Sequence, residues 1–163
     1  MSGSTHHFRC TLDWTGAARG PTRDYESYSR EVAVQFEGRQ VLRLSGAPVF
    51  RGDGSLHNPE DLLVASLATC HFLSYAALCA RRGVVMTAYR DEASGTLSYD
   101  KERKVMAMSE VLLRPHVTIA AGSDEALAMR LHESAHHECF IANSVNFPVR
   151  NEPTIVVAGV VAG

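Results

Sequence analysis

The segment between Asn58 and Gly83 constrains the fold of this chain more than any other part of its sequence. It opens 58-NPEDLLVASLATCH-71. Asn58 suits an N-cap, where its side-chain oxygen accepts an orphan backbone N–H. Pro59 fits the first helical position, whose N–H lacks a helical partner anyway. Glu60 and Asp61 lie where the helix dipole favours negative charge, and Arg81 and Arg82 lie at the opposite end. Gly83 provides the left-handed residue that closes a helix. Between these signals, Leu62, Leu63, Val64, Leu67, Phe72, Leu73, Tyr75 and Leu78 spread around the helix instead of forming one stripe. A helix apolar on most faces is expected at the centre of its fold.

The flanking sequence alternates as strands do. In 29-SREVAVQF-36, Val32, Val34 and Phe36 share a face, and 40-QVLRLSG-46 alternates again after the Glu37-Gly38 turn. Two such runs around a short polar turn predict a hairpin. The run 7-HFRCTLDWTG-16 reads as an earlier strand, and 17–27 as a loop by its Gly, Pro and Asp content. After the helix, 84–100 and 103–120 read as two long strands joined at Asp100-Lys101-Glu102. Residues 123–138 read as a second helix with Ser123 as N-cap, and 147–161 as a tail that ends in a final strand-like run. The order β-β-β-α-β-β-α-β predicts an α+β fold with mostly antiparallel sheet around the long cysteine-bearing helix. The 163 residues suffice for one domain with a real core, with residues 1–6 frayed.

Composition narrows the partners. The net charge is −2, with no basic block or aromatic-basic stripe, so nucleic acid is not expected. The N-terminus lacks the apolar run of a signal peptide. No apolar stretch is expected to approach the ~20 residues of a membrane span, so no membrane partner is expected and the cytoplasm is the default location. There, Cys10, Cys70, Cys79 and Cys139 are expected to rest as thiols.

Cys10 and Cys79 read as inert, buried thiols. Cys79 follows Cys70 by nine residues, so the two point to opposite sides of one helix at ~100° per residue. Cys70 and Cys139 differ, because histidines stand beside both, in 70-CH-71 and 136-HHEC-139. Three readings stay open: two core cysteines, a zinc site built from Cys70, His71, His136 and Cys139, or a redox pair. The zinc reading is poor on spacing, since adjacent helical residues such as Cys70 and His71 diverge by ~100°, and neither Cys-x-x-Cys nor His-Glu-x-x-His is expected in the chain. No metal or cofactor is expected.

The block Asn58-Pro59-Glu60-Asp61-Leu62-Leu63, with Cys70 ten residues after Glu60, and the later block 135-AHHECFIANSV-145 together resemble the OsmC/Ohr family of thiol peroxidases. The resemblance spans residues 7–158. It is to the OsmC-like branch that carries Cys-His at its first site and Cys-Phe-Ile-Ala at its second. It implies an intertwined homodimer whose long central helices are enclosed by sheet, and thiol-dependent reduction of organic hydroperoxides. It implies Cys70 as the peroxidatic cysteine, Cys139 as the resolving one, and Glu60 as an acid acting with an arginine of the N-terminal half. An external dithiol or lipoyl group would complete the cycle. No motif fixes the arginine; Arg30 comes first, ahead of Arg51 and Arg23. His71 and the Cys-Phe-Ile sequence depart from better-known branches and bear on substrate and rate. They keep a second function open: a non-catalytic OsmC-like domain that binds a small apolar ligand at its dimer interface.

The chemistry sets two demands. Only a thiolate attacks a peroxide, and a buried mid-helix thiol gains nothing from the helix dipole, so Cys70 needs a cation. Glu60 lies ten residues from Cys70, ~15 Å along an ideal helix. It must therefore act through the arginine or across a dimer interface. Phe50, Leu67 and Phe147 are expected to line an alkyl pocket, and His71, His136 and His137 to be satisfied interface or surface histidines.

Overall fold

The computed structural model describes residues 4–159. Residues 1–3 of the segment expected to fray, and residues 160–161 of the expected final strand, lie outside the described residues. The chain divides into two compact units, residues 1–62 and 63–163.

In the first unit, β1 (Thr11–Asp13), β2 (Val32–Gln35) and β3 (Leu42–Leu44) form an antiparallel sheet in the order β1-β2-β3. Val34 sits opposite both Leu12 and Leu42, so the predicted alternation sets the register. Gly38 turns the β2–β3 hairpin with φ 70°, a left-handed conformation that favours glycine. The strands are shorter than the alternating runs. Buried Glu31 is neutralised by Arg19 at 2.6 Å and Arg43 at 3.1 Å.

The long helix α1 (Pro59–Arg82) forms as its end signals require. Asn58 Oδ1 accepts the Asp61 N–H at 2.8 Å, and the Asp61 carboxylate accepts the Asn58 N–H at 3.3 Å. This reciprocal cap satisfies two backbone donors at once. Gly83 follows with φ 75°, and the Val84 N–H returns to the Cys79 carbonyl at 3.0 Å. One sequence expectation is corrected here. By length and composition α1 is long and apolar enough to cross a membrane. The small polar residues and His71 do not break its apolar character, although they interrupt every continuous apolar run.

The second unit holds β4 (Met86–Asp91), β5 (Ser94–Asp100), β6 (Val105–Leu113), β7 (Pro115–Ile119), α2 (Glu125–Glu138), β8 (Val149–Asn151) and β9 (Thr154–Val157). The fold is thus mixed α+β. Each long strand expected from sequence is broken, and its halves go to different sheets, ordered β4-β7-β9 and β5-β6-β8. The breaks have backbone causes. The Arg114 N–H is taken by the Asp91 side chain at 2.7 Å, and Pro115 has no N–H to give. Pro153 interrupts the last run in the same way, between β8 and β9. Those two strands join β6 and β7 in parallel, so the sheets are mixed although antiparallel pairs predominate. The N-cap of α2 is Asp124, whose Oδ1 accepts the Leu127 N–H at 2.8 Å. Ser123, expected in that role, instead accepts the Val85 N–H at 3.1 Å.

Two apolar clusters lie along α1. Leu67 packs with Val111 and Leu113 of β6, and Phe147 closes against them. Farther along, Tyr75, Leu78 and Cys79 pack with Val117 and Ile119 of β7 and with Ala128, Leu131 and Ala135 of α2. Leu67 is therefore a core residue, not the free pocket lining expected from sequence, whereas half-buried Phe147 packs on this cluster and also lines a surface cavity with Met108 and Pro148. Gly95 lets β5 approach α1, since a Cβ there would lie 2.7 Å from Val64 Cγ2 and 2.5 Å from Met108 Cε.

Replacing fully buried Leu67 by alanine should lower the unfolding free energy by about 3–4 kcal/mol, read from urea unfolding. A loss below about 1 kcal/mol would show that this cluster is not a core.

Candidate active site

Cys70 lies near the middle of α1, and Cys139 is the C-cap of α2. The fold places Cys139 beside Cys70, close enough for one thiol to influence the other. All four cysteines are free thiols. The environments of the pair differ. Cys70 is half-buried, whereas Cys139 is 1% exposed. Burial, reinforced by the contact with Cys70, pushes the Cys139 thiol up to about 11. The backbone N–H groups of Ala142, at 3.4 Å, and Ile141 pull the other way without overcoming burial. Cys139 thus keeps its proton at neutral pH and can offer its S–H to the Cys70 sulfur. Of the cysteines expected to be inert, Cys79 is buried, but Cys10 is exposed and precedes β1.

A second polar cluster lies on the same helices. His71 is fully buried, against the expectation of a surface or interface residue. Its Nε2 lies 3.0 Å from His132 Nδ1 and 3.0 Å from Asn151 Nδ2 of β8. The Tyr75 ring stacks on His132 at 3.8 Å, and the Tyr75 hydroxyl donates to the Ala128 carbonyl at 3.2 Å. Burial lowers His71 to about 4, helped by nearby His136, and lowers His132 to about 3, helped by His71. Both rings are neutral at pH 7. His136 is half-buried and His137 exposed.

The remaining predicted site residues lie in the first unit. Glu60 Oε2 is buried and has no hydrogen-bond partner among the described residues. The Arg30 guanidinium lies 4.2 Å from the Tyr28 ring and 4.8 Å from the Tyr25 ring, and it donates to the carbonyls of Tyr28 and Tyr25 at 3.1 and 2.6 Å. Among the described residues it pairs with no carboxylate, so the expected Glu60–arginine pair is not formed through Arg30. Arg51 pairs with Glu26 at 2.6 Å, and Arg23 is exposed. Phe50 ends a short 3-10 turn in this unit, next to Arg51.

Sequence reasoning missed His132 and Asn151. A signal for His132 was present, and the expectation that the chain has no His-Glu-x-x-His is corrected, because 132-HESAH-136 spells it on α2. Here His132 faces His71 through Nδ1. Among the described residues no three His, Cys, Asp or Glu side chains are grouped to hold a metal ion. Asn151 carries no local signal, since only the parallel placement of β8 brings it to His71.

A family model described as OsmC-like protein matches residues 52–153. An uncharacterized Bacillus subtilis protein, YmaD, is 24% identical over 159 residues, covering 94% of this chain and 97% of its own. The solved structure of an OsmC-like protein of unknown function from Vibrio cholerae superposes with a TM-score of 0.84 at 26% identity, covering 92% of this chain and all of its own. An organic hydroperoxide resistance protein from Legionella pneumophila shares the fold with a TM-score of 0.66 at 18% identity, covering 95% of this chain and all of its own.

The neutral histidines fix a sign for the pH dependence of stability. Above pH 6.5 neither the folded nor the unfolded chain protonates them. Below it the unfolded chain takes up protons that the folded chain refuses until about pH 4. Stability should therefore fall across that window, by about 3 kcal/mol from His71 alone. Urea unfolding at pH 7, 5.5 and 4.5 measures it; His71→Leu should flatten the slope, and an unchanged slope in that variant would contradict the assignment. At pH 8, iodoacetamide should alkylate Cys70 well before Cys139, as peptide mass spectrometry would show.

Proposed function

The chain belongs to the OsmC-like family, and from that premise we propose that it is a thiol-dependent peroxidase that reduces organic hydroperoxides. The observation that carries this reading is the contact between a half-buried Cys70 and a buried, protonated Cys139. The asymmetry matches two different tasks. The accessible sulfur meets the substrate, and the shielded one waits for the product of the first step.

In the proposed cycle, the Cys70 thiolate attacks one oxygen of the O–O bond. The alcohol leaves with a proton, and Cys70 becomes a sulfenic acid. The Cys139 sulfur then attacks the Cys70 sulfur and expels water, so the two electrons given to the peroxide end as a disulfide. An external dithiol or lipoyl group restores both thiols by exchange. Arg30 is the cation we assign to the thiolate, with Arg51 second, because a guanidinium offers permanent charge and several donors. Glu60 acts with that arginine, and its buried, unpaired Oε2 supports a partner supplied by a second copy of the chain. A homodimer is also supported by the apolar side chains near the dithiol: Leu73 is 60% exposed and Phe140 81% exposed. Some fold relatives are named for organic hydroperoxide resistance, which agrees with this substrate class.

Cumene hydroperoxide and hydrogen peroxide should both be assayed for consumption, with dihydrolipoamide as reductant. The wild type should consume the organic peroxide faster. Cys70→Ser should abolish turnover, and Cys139→Ser should stop the cycle after one equivalent. Lack of consumption of either peroxide, with both thiols still reduced, would favour the alternative: an OsmC-like domain that binds a small apolar ligand without catalysis.

A further inference from the structure

Tyr75 lies four residues after His71 on α1, and Ala128 lies four residues before His132 on α2. The two contacts, Tyr75 to Ala128 at 3.2 Å and His71 to His132 at 3.0 Å, are thus rungs one helical turn apart between antiparallel helices. One further turn in the same direction reaches Leu67 on one helix and His136 on the other, with Cys70 next to His71 and Cys139 at the end of α2. The rest of this interface is apolar: Leu78, Leu131 and Ala135 pack here. Apolar side chains hold two helices together but specify poorly how far one has slid along the other.

A buried pair of imidazoles is a costly way to fill a core. Both are almost wholly buried, and His71 Nδ1 and His132 Nε2 have no partner among the described residues. Two leucines would bury comparable surface without that desolvation. What leucines lack is a directional contact made at one alignment only. A slip of one turn moves α2 about 5.4 Å along α1. Disulfide closure tolerates Cα separations only up to about 7 Å, so such a slip would take Cys139 out of reach of Cys70. Asn151 adds a third point at 3.0 Å and fixes His71 against β8 as well.

We propose that His71 and His132 are positioning residues for the dithiol: their hydrogen bond sets the register of α1 against α2 at which Cys70 and Cys139 meet. The inference rests on the proposed redox role of that pair, but its test needs no peroxide. In buffers of oxidised and reduced glutathione, Cys70 and Cys139 give up two electrons and two protons to form a disulfide. One oxidised glutathione takes them up and becomes two reduced molecules. The equilibrium constant, read by mass spectrometry of alkylated protein, reports how well the two sulfurs are held together. Cys10→Ser and Cys79→Ser in the background confine the exchange to this pair.

His71→Leu and His132→Leu should each lower that constant about tenfold while circular dichroism stays that of a folded protein. His71→Gln, whose amide reaches where Nε2 was, should stay within about threefold of the wild type, and the shorter His71→Asn should fall as far as the leucine variant. The glutamine and asparagine pair decides the matter even if the leucine variants do not fold. Equal constants for wild type, His71→Gln and His71→Asn would overturn the proposal. If the constants fall as expected but the wild type consumes no peroxide, the positioning role stands and the peroxidase reading fails.

Discussion

The packing of α2 against α1 is the contact on which the rest of the site depends. Cys70 and Cys139 are 69 residues apart in sequence, and no local feature joins them. They meet because α1 carries a buried stripe of Leu67, His71, Tyr75 and Leu78, and because α2 lays Ala128, Leu131, His132 and Ala135 against its later part. Tyr75 on α1 bridges to the backbone carbonyl of Ala128 on α2. The sheets support this from the other side. By breaking at Arg114 and Pro153, the long strands serve both apolar clusters along α1.

The same packing makes the two thiols unequal. Cys139 closes the last turn of α2, and the chain then folds back over it through Ala142–Ser144. That return shields the sulfur from water while aiming backbone N–H groups at it. Burial wins, so Cys139 is a poor nucleophile until something draws it to react. In the proposed cycle a sulfenic acid on Cys70 would be such a partner, because the sulfur it presents is electrophilic and lies beside Cys139. Protection of the second thiol from direct oxidation follows from the same geometry.

The long helix was the most legible part of the sequence, because its limits are set by local chemistry: a cap at Asn58, proline at the next position and a left-handed glycine at its end. The three N-terminal strands were legible for the same reason, since alternation and Gly38 decide them locally. The broken strands were not. Alternation continues smoothly through 84–100 and 103–120, and only the tertiary use of Arg114 and Asp91 diverts the chain between sheets. At the site, Cys70 and Cys139 could be named from their motifs, whereas their contact depends on helix packing. His71 was misjudged because a histidine on an apolar helix gives no sign of a buried partner. His132 and Asn151, which are that partner and its support, come from elements 61 and 80 residues away. Arg30 illustrates the opposite limit: nothing local in the sequence shows that its guanidinium lies against the rings of Tyr25 and Tyr28 and donates to their carbonyls.

The central claim is that Cys70 and Cys139 form the redox pair. It is tested most directly by exposing the reduced protein to one equivalent of cumene hydroperoxide, blocking the remaining thiols and mapping the digested peptides by mass spectrometry. The account predicts a single cross-link joining the peptide of Cys70 to that of Cys139, with Cys10 and Cys79 recovered as blocked thiols. Recovery of Cys70 and Cys139 as free thiols, or a cross-link that bypasses either of them, would contradict it.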